Sequence, residues 1–216
     1  MQYGKFIVVE GVDGAGKSSV LEDILANYTD TNHDANIDTT SDTKIIYHKG
    51  FNKTSVIGKY INTHPSSILY YLDLAYKSQT YIRSKLKSGY IILQDRYVQS
   101  VDSFLPDANY IYNQKFRDLI SRFFIKSDLY VYVTVSEEEC IKRLKQVNIN
   151  SLDLADIRYH ETLMSDINRM RNRKKMYDNI YDRHEGYKII IDTTGKSAKE
   201  SAQILLNKLK VMNYVS

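Results

Sequence analysis

Short apolar runs alternate with amphipathic stretches along the chain, and that alternation predicts its architecture. Residues 6–9, Phe-Ile-Val-Val, are a β-branched run of the kind a buried strand uses, and glycines beginning at Gly11 stop it. Further strands are predicted at 44–48, 90–94, 129–135 and 187–191. The run 129–135 reads as a continuous apolar strand, buried on both faces. Between the strands lie helical periods. One opens near Lys17 and carries Val20, Leu21, Ile24 and Leu25 as a stripe for packing on the sheet. Residues 54–62 can form another, which Pro65 separates from a long helix over 66–89; there Ile68, Leu72, Ala75, Ile82 and Leu86 recur on one face and Gly89 is the stop. Helices are also predicted at 113–125, 137–146, 158–181 and 197–212, the second of these with acids early and bases late, matching its dipole. Strands alternating with helices give an α/β fold: a parallel sheet with right-handed crossovers and helices on both faces. A chain of 216 residues suffices for one such domain and is short for two.

Two stretches break the pattern. Residues 28–42 are almost wholly polar and long for a connection, and they join a helix to a strand on the face away from any ligand, so they read as a mobile insertion of little functional weight. Residues 147–157 are polar and irregular. The run Arg169, Arg171, Arg173, Lys174 and Lys175 reads as a solvated helix face, because aromatic interleaving is absent.

Composition narrows the setting. The net charge of +4 suits an anionic ligand without demanding DNA or RNA. Cys140 is the one cysteine, so no internal disulfide can form; a reducing compartment and a packing role are expected. The first strand follows Met1 closely, leaving no room for a charged leader, and no apolar run approaches a membrane span. A soluble cytoplasmic protein is expected. The five histidines do not cluster at metal-ligand spacing.

Chemistry gathers at two places. Residues 11–18, Gly11, Val12, Asp13, Gly14, Ala15, Gly16, Lys17 and Ser18, fit G-x-x-x-x-G-K-[ST] between a predicted strand and a predicted helix, with Ser19 following. That spacing lets backbone N–H groups turn inward around phosphate oxygens at a helix N-terminus. Lys17 would reach the terminal phosphates, standing solvent-facing in the free protein, and the Ser18 hydroxyl would face Mg²⁺. Asp13 inside the loop would be repelled by ATP phosphates, so it is expected to point toward a hydroxyl of a second substrate. The other place is the end of the third strand. There Asp95 can hold Mg²⁺ through water, and Arg96 can clamp phosphate oxygens bidentately.

These residues carry a resemblance. The opening over 6–19 is similar to that of the thymidylate kinase family, and Asp95-Arg96-Tyr97 with Ser100, Ser103 and Phe104 resembles its Asp-Arg-Tyr-x-x-Ser segment. Ile57-Gly58-Lys59 also resembles that family, whose phosphate-contacting arginine falls on Lys53 here. Lys142-Arg143 matches its basic pair, placing Arg143 on the adenine of ATP, and residues 192–196 match the loop that closes the adenine pocket. The resemblance implies a five-stranded sheet in the order 2-3-1-4-5, a lid at about 147–157, a homodimer, and transfer of phosphate from ATP to dTMP with Mg²⁺. It also implies substrate contacts from Asp13, Lys53, Arg96, Tyr97 and Ser100. The chain departs from the family at two points. The family's thymine site pairs an aromatic ring with an arginine four residues on; the ring can be Tyr70 or Tyr71, yet the arginine slot falls on Leu74 or Ala75. The phosphate loop has Gly14 where an arginine can stand, and the lid has no arginine, leaving Lys145 or Arg158 as substitutes.

Phosphoryl transfer to a nucleoside monophosphate needs aligned anions and cations to neutralise them, with no general base, which fits a site of Lys17, Arg96, Lys53 and Mg²⁺. The alternatives are an acceptor that is a deoxynucleoside or carries another base, and a degenerate nucleotide-binding regulator.

Overall fold

A computed structural model of the protein describes residues 3–28, 44–50, 67–104, 110–147, 157, 160–161 and 164–215. Five strands form its sheet: β1 (Lys5–Glu10), β2 (Ile45–Lys49), β3 (Ile91–Asp95), β4 (Leu129–Thr134) and β5 (Lys188–Asp192). All neighbouring pairs are parallel, in the order β2-β3-β1-β4-β5. Every strand therefore ends at the same edge, and β1 sits in the centre where chain order reverses, the place where open parallel sheets bind ligands. The centre is mostly apolar: Phe6 to Val9 on β1 and Leu129, Val131 and Val133 on β4 are inaccessible. Each such side chain contributes about 1.5–3 kcal/mol by leaving water.

Helix α1 (Lys17–Tyr28) buries Val20, Leu21 and Ile24 as its periodicity predicts. The expected long helix over 66–89 is present without a break over 67–87, with a π-helical turn (Ser78–Ile82) between α2 (Ser67–Lys77) and α3 (Arg83–Lys87). Ala75, Ile82 and Leu86 are buried as expected, but Leu72 is 40% exposed, and Tyr71 and Leu74 are interior as well. The buried positions Tyr71, Leu74, Ala75, Ser78, Ile82 and Leu86 keep the α-helical period, and Leu72 falls outside it. Ser78 opens the turn, and its Oγ bonds Tyr97 Oη at 2.8 Å and accepts from Ile125 N at 2.8 Å.

The chain continues through α4 (Val98–Phe104), a seven-residue helix that periodicity did not reveal, and α5 (Tyr110–Ile120). Then come α6 (Glu137–Lys145), α7 (Ile167–Arg183) and α8 (Ala198–Val211). Ser136 caps α6, and Ser197 with Glu200 forms a capping box on α8. Most strands and these later helices lie within two residues of their predicted bounds. α5 and α7 are the exceptions: α5 starts three residues early and gives way after Ile120 to a short 3₁₀ turn, and α7 starts at Ile167, nine residues past its predicted start. The 28–42 insertion beyond Tyr28, the helix over 54–62, Lys53, Arg158 and the interior of the 147–157 segment lie outside the described residues.

Candidate active site

The phosphate loop grows directly from β1. Gly11 stands at φ 149°, and a Cβ there would come within 2.1 Å of Val133 O, so the chain can leave the sheet at this point only as glycine. The loop then turns into α1 at Lys17. An open cleft of about 570 Å³ lies above it, lined by Asp13, Gly14, Gly16, Lys17, Ser18, Ser19, Lys49, Asp95, Arg96, Arg143 and Val147. Val12 and Ala15 are buried beneath, where Ala15 N donates to Val12 O at 3.3 Å and Ala15 O accepts from Thr193 Oγ1 at 2.9 Å.

Lys17 is not solvent-facing as expected. It is 5% exposed, and its ammonium folds back to donate to Val12 O at 2.8 Å. Burial first, and then Arg96, push the ammonium down to about 8.

Ser18 Oγ donates to Asp95 Oδ2 at 2.7 Å, which joins the loop to the end of β3. Tyr47 Oη donates to the same oxygen at 3.0 Å. Asp95 Oδ1 is buried and accepts no hydrogen bond from any described residue. A buried carboxylate oxygen without a partner, beside a hydroxyl, is an all-oxygen donor set that fits a hard divalent cation. Among the described residues, three or more His, Cys, Asp or Glu side chains do not converge on any point, so these two would be supplemented by phosphate oxygens and water.

Arg96 follows at φ 68°, a left-handed conformation costly for a residue with a Cβ. Three backbone contacts impose it: Arg96 N donates to Val9 O at 3.0 Å, Gln94 Nε2 donates to Arg96 O at 2.9 Å, and Gly50 packs against that same oxygen. The strain turns the guanidinium over the loop, where it pairs with Asp13 and donates to Ser100 Oγ at 3.3 Å. Burial works against its charge, but Asp13, Tyr177, Asp95 and Glu10 together hold its pKa above the ordinary value.

Asp13 also meets Arg173, at 3.6 Å from Nη1 to Oδ2. Here the expectation of a solvated basic face fails. Arg169, Arg171 and Lys175 are exposed, but Arg173 is 9% exposed and lies in the same stripe as buried Met170 and Tyr177. Their i, i+3, i+7 spacing was the available signal, hidden among neighbouring charges.

Behind Arg96 lies a buried polar scaffold. The Glu10 carboxylate accepts from Tyr97 N at 2.7 Å, Ser100 N at 3.2 Å, Ser100 Oγ at 2.5 Å and Tyr177 Oη at 3.3 Å, so it caps α4 from a neighbouring strand. Burial is the main cause of its rise to about 7, opposed by the Ser100 bond and by Arg96. Tyr97 and Ser100, singled out as substrate contacts, are 3% and 0% exposed and are engaged in this scaffold. Of the two candidate rings, Tyr71 is buried with its hydroxyl bonded to Asp102, while Tyr70 is half-buried. Leu74 and Ala75 are both buried.

At the other end of the cleft, Arg143 is held flat. Its Nε donates to Glu139 Oε1 at 3.1 Å, Nη1 to Thr193 Oγ1 at 2.9 Å and Nη2 to Thr193 O at 2.8 Å. Edge donors are thereby spent, leaving a planar face suited to stacking. Cys140 packs as expected, buried with its thiol 3.0 Å from Asp13 O and pushed up to about 11, chiefly by burial. Lys49, at the end of β2, adds a cation to the cleft that sequence reading did not assign.

A family model described as thymidylate kinase matches residues 9–204. The chain belongs to the thymidylate kinase family. A thymidylate kinase of Brachyspira hyodysenteriae is 26% identical over 205 residues, covering 87% of this chain and 96% of the relative. One from Baumannia cicadellinicola is 27% identical over 184 residues, covering 75% and 84%. A solved thymidylate kinase from Candida albicans, described as having broad substrate specificity, superposes with a TM-score of 0.70 at 21% identity, covering 98% of this chain and 93% of that one. This last likeness concerns the fold. As a member of the thymidylate kinase family, the protein is a phosphotransferase acting on a nucleoside monophosphate. Among the described residues no helix is long and apolar enough to cross a membrane.

Proposed function

We propose that this thymidylate kinase family member transfers the γ-phosphoryl group of ATP to dTMP, in the presence of Mg²⁺, giving ADP and dTDP. The observation that carries the reading is one cleft in which a phosphate loop faces Arg96 and Lys49 across the sheet edge. An acceptor phosphate oxygen attacks the γ phosphorus, the bond to the β–γ bridging oxygen breaks, and that electron pair leaves with ADP. The acceptor is largely ionised at neutral pH, its second pKa being about 6, so no side chain need take a proton. The residues bind and orient two anions. Lys17 exchanges Val12 O for a terminal phosphate oxygen, and Arg96 bridges donor and acceptor phosphates. Lys49 and Lys53 hold the acceptor side. Arg173, beside Asp13, supplies the arginine that the lid and Gly14 do not. Asp13 keeps both guanidiniums aimed at the loop. Ser18 and Asp95 would hold Mg²⁺, which when bound supplies further charge neutralisation on the phosphoryl oxygens. Arg143 stacks on adenine, and Tyr70 offers a face to the acceptor base.

The reading extends to a single cytoplasmic kinase domain with a lid over 147–157, acting as a homodimer. Exposed Leu72 and Tyr76 stand one turn apart on α2, and Gln79 Nε2 donates to Phe123 O at 2.5 Å, which brings exposed Phe123 beside them. Such a stripe suits a second copy. Sedimentation equilibrium should give twice the mass of one chain, and Tyr76→Glu should shift it toward the monomer; a monomer at all concentrations would end the dimer proposal.

The experiment for the reaction is a panel of acceptors with ATP and Mg²⁺, comprising dTMP, the other deoxynucleoside monophosphates and thymidine. Turnover of dTMP with none of thymidine is expected, because a hydroxyl acceptor would need a carboxylate base and Asp13 is committed to two arginines. Faster turnover of thymidine would replace this reading with a deoxynucleoside kinase.

A further inference from the structure

We propose that Lys77 reads the acceptor base, donating to an exocyclic carbonyl and so favouring thymine, uracil and guanine monophosphates over those of cytosine and adenine. The inference rests on the monophosphate-kinase reading above and names its substrate class. It begins with a buried ion pair. Asp73 and Lys77 are 2% and 6% exposed, four residues apart on α2, with Nζ and Oδ2 separated by 2.5 Å. Lys77 Nζ also donates to Gly50 O at 3.0 Å. An ammonium has three protons to give, and no described residue accepts the third. Apolar side chains at these two positions would pack the same space without removing two charges from water. The pair is therefore weak as a stabilising device and needs another account.

Its place in the fold supplies one. A helical side chain leans toward the N-terminus of its helix, so the Lys77 head rises about one turn toward the ligand edge of the sheet. Gly50, which it touches, is the residue after β2, and its N–H bonds Asp95 O at 2.9 Å. A Cβ on Gly50 would come within 2.0 Å of Arg96 O. The ammonium thus stands one residue from the backbone of Arg96, on the β2 side. ATP's proposed contacts, the loop and Arg143, run from β1 toward β5, which leaves the β3–β2 side to the acceptor.

Leu74 and Ala75, on the same helix, are apolar and cannot donate to a base edge, whereas Lys77 carries a proton that no described residue accepts. Thymine and uracil present O4 and guanine presents O6 as acceptors. Cytosine N4 and adenine N6 present amino groups, which would set donor against donor and leave both unpaired in a dry site. A site of this kind discriminates strongly, because the wrong partner strands a buried group.

Calorimetric binding of dTMP, dUMP, dGMP, dCMP and dAMP to the full chain tests this, alongside turnover with ATP and Mg²⁺. The wild type should bind the three carbonyl bases at least about tenfold more tightly than the two amino bases. Lys77→Arg, which keeps charge and donors, should preserve the preference. Lys77→Met should erase it to within about threefold, through KM more than kcat. Lys77→Gln, whose amide can present either its oxygen or its nitrogen, should bind dCMP and dAMP more tightly than the wild type does. Thermal melting establishes which variants fold, and Lys77→Gln decides the matter if Lys77→Met does not. Equal affinity for all five nucleotides in the wild type, or an unchanged preference in folded Lys77→Gln, would overturn the proposal. Selective binding without turnover would sink the kinase reading and keep Lys77, whereas turnover indifferent to Lys77 would do the reverse.

Discussion

Lys17→Ala should lower kcat/KM for ATP by about a thousandfold or more while leaving the fold intact. The expectation follows from what the side chain does with and without phosphate. In the free protein its ammonium is buried against Val12 O, a contact with no catalytic value. Losing it does not strand that carbonyl, because Ala15 N also donates there. The unfolding midpoint should therefore hardly move. With ATP bound, the same charge would neutralise transferring oxygens at short range, and alanine has no replacement. A pH profile adds an independent check. Because Lys17 is pushed down to about 8, it carries its charge below that pH and loses it above. In the free enzyme kcat/KM for ATP should fall as pH rises through about 8, while kcat, measured with phosphates already holding the proton on, should persist to higher pH. Undiminished turnover in Lys17→Ala would remove the loop from the chemistry.

Arg96→Ala is expected to lower kcat by about 10³ or more, with a much smaller rise in KM for the acceptor. The guanidinium is held over the loop by a left-handed backbone and by Asp13, an arrangement too costly for a surface ion pair. A group so fixed needs no reorganisation when charge develops between the two phosphates. The variant should fold, since alanine has the same backbone strain and Asp13 retains Arg173. If kcat stays and KM alone rises, Arg96 only binds substrate in the ground state.

Legibility varied with the range of the interaction. The phosphate loop was readable because its chemistry is local: glycines, a lysine and a serine at fixed spacing between a strand and a helix. The strand order came from resemblance, the bounds of β2 and β4 from apolar runs, and those of α6 from acids early and bases late. What escaped depends on contacts across the fold. Glu10 ends an apolar strand, yet its role as the cap of α4 exists only because β1 and β3 are neighbours. Tyr47 and Lys49 reach the site because β2 flanks β3 at the sheet edge. Arg173 was masked by its charged neighbours, and on α2 Leu72, an apolar residue that faces solvent, stood in for its buried neighbour Tyr71. Lys17 was misplaced because its contact with Val12 O, within the loop itself, is not legible from the motif's spacing.

Transfer of label from γ-labelled ATP under single-turnover conditions tests the central claim most directly. Wild-type protein with Mg²⁺ and dTMP should place the label in dTDP in proportion to ATP consumed, and omission of dTMP should leave ATP nearly intact. Label appearing as inorganic phosphate at the same rate with or without dTMP, or ATP bound and never consumed, would contradict it.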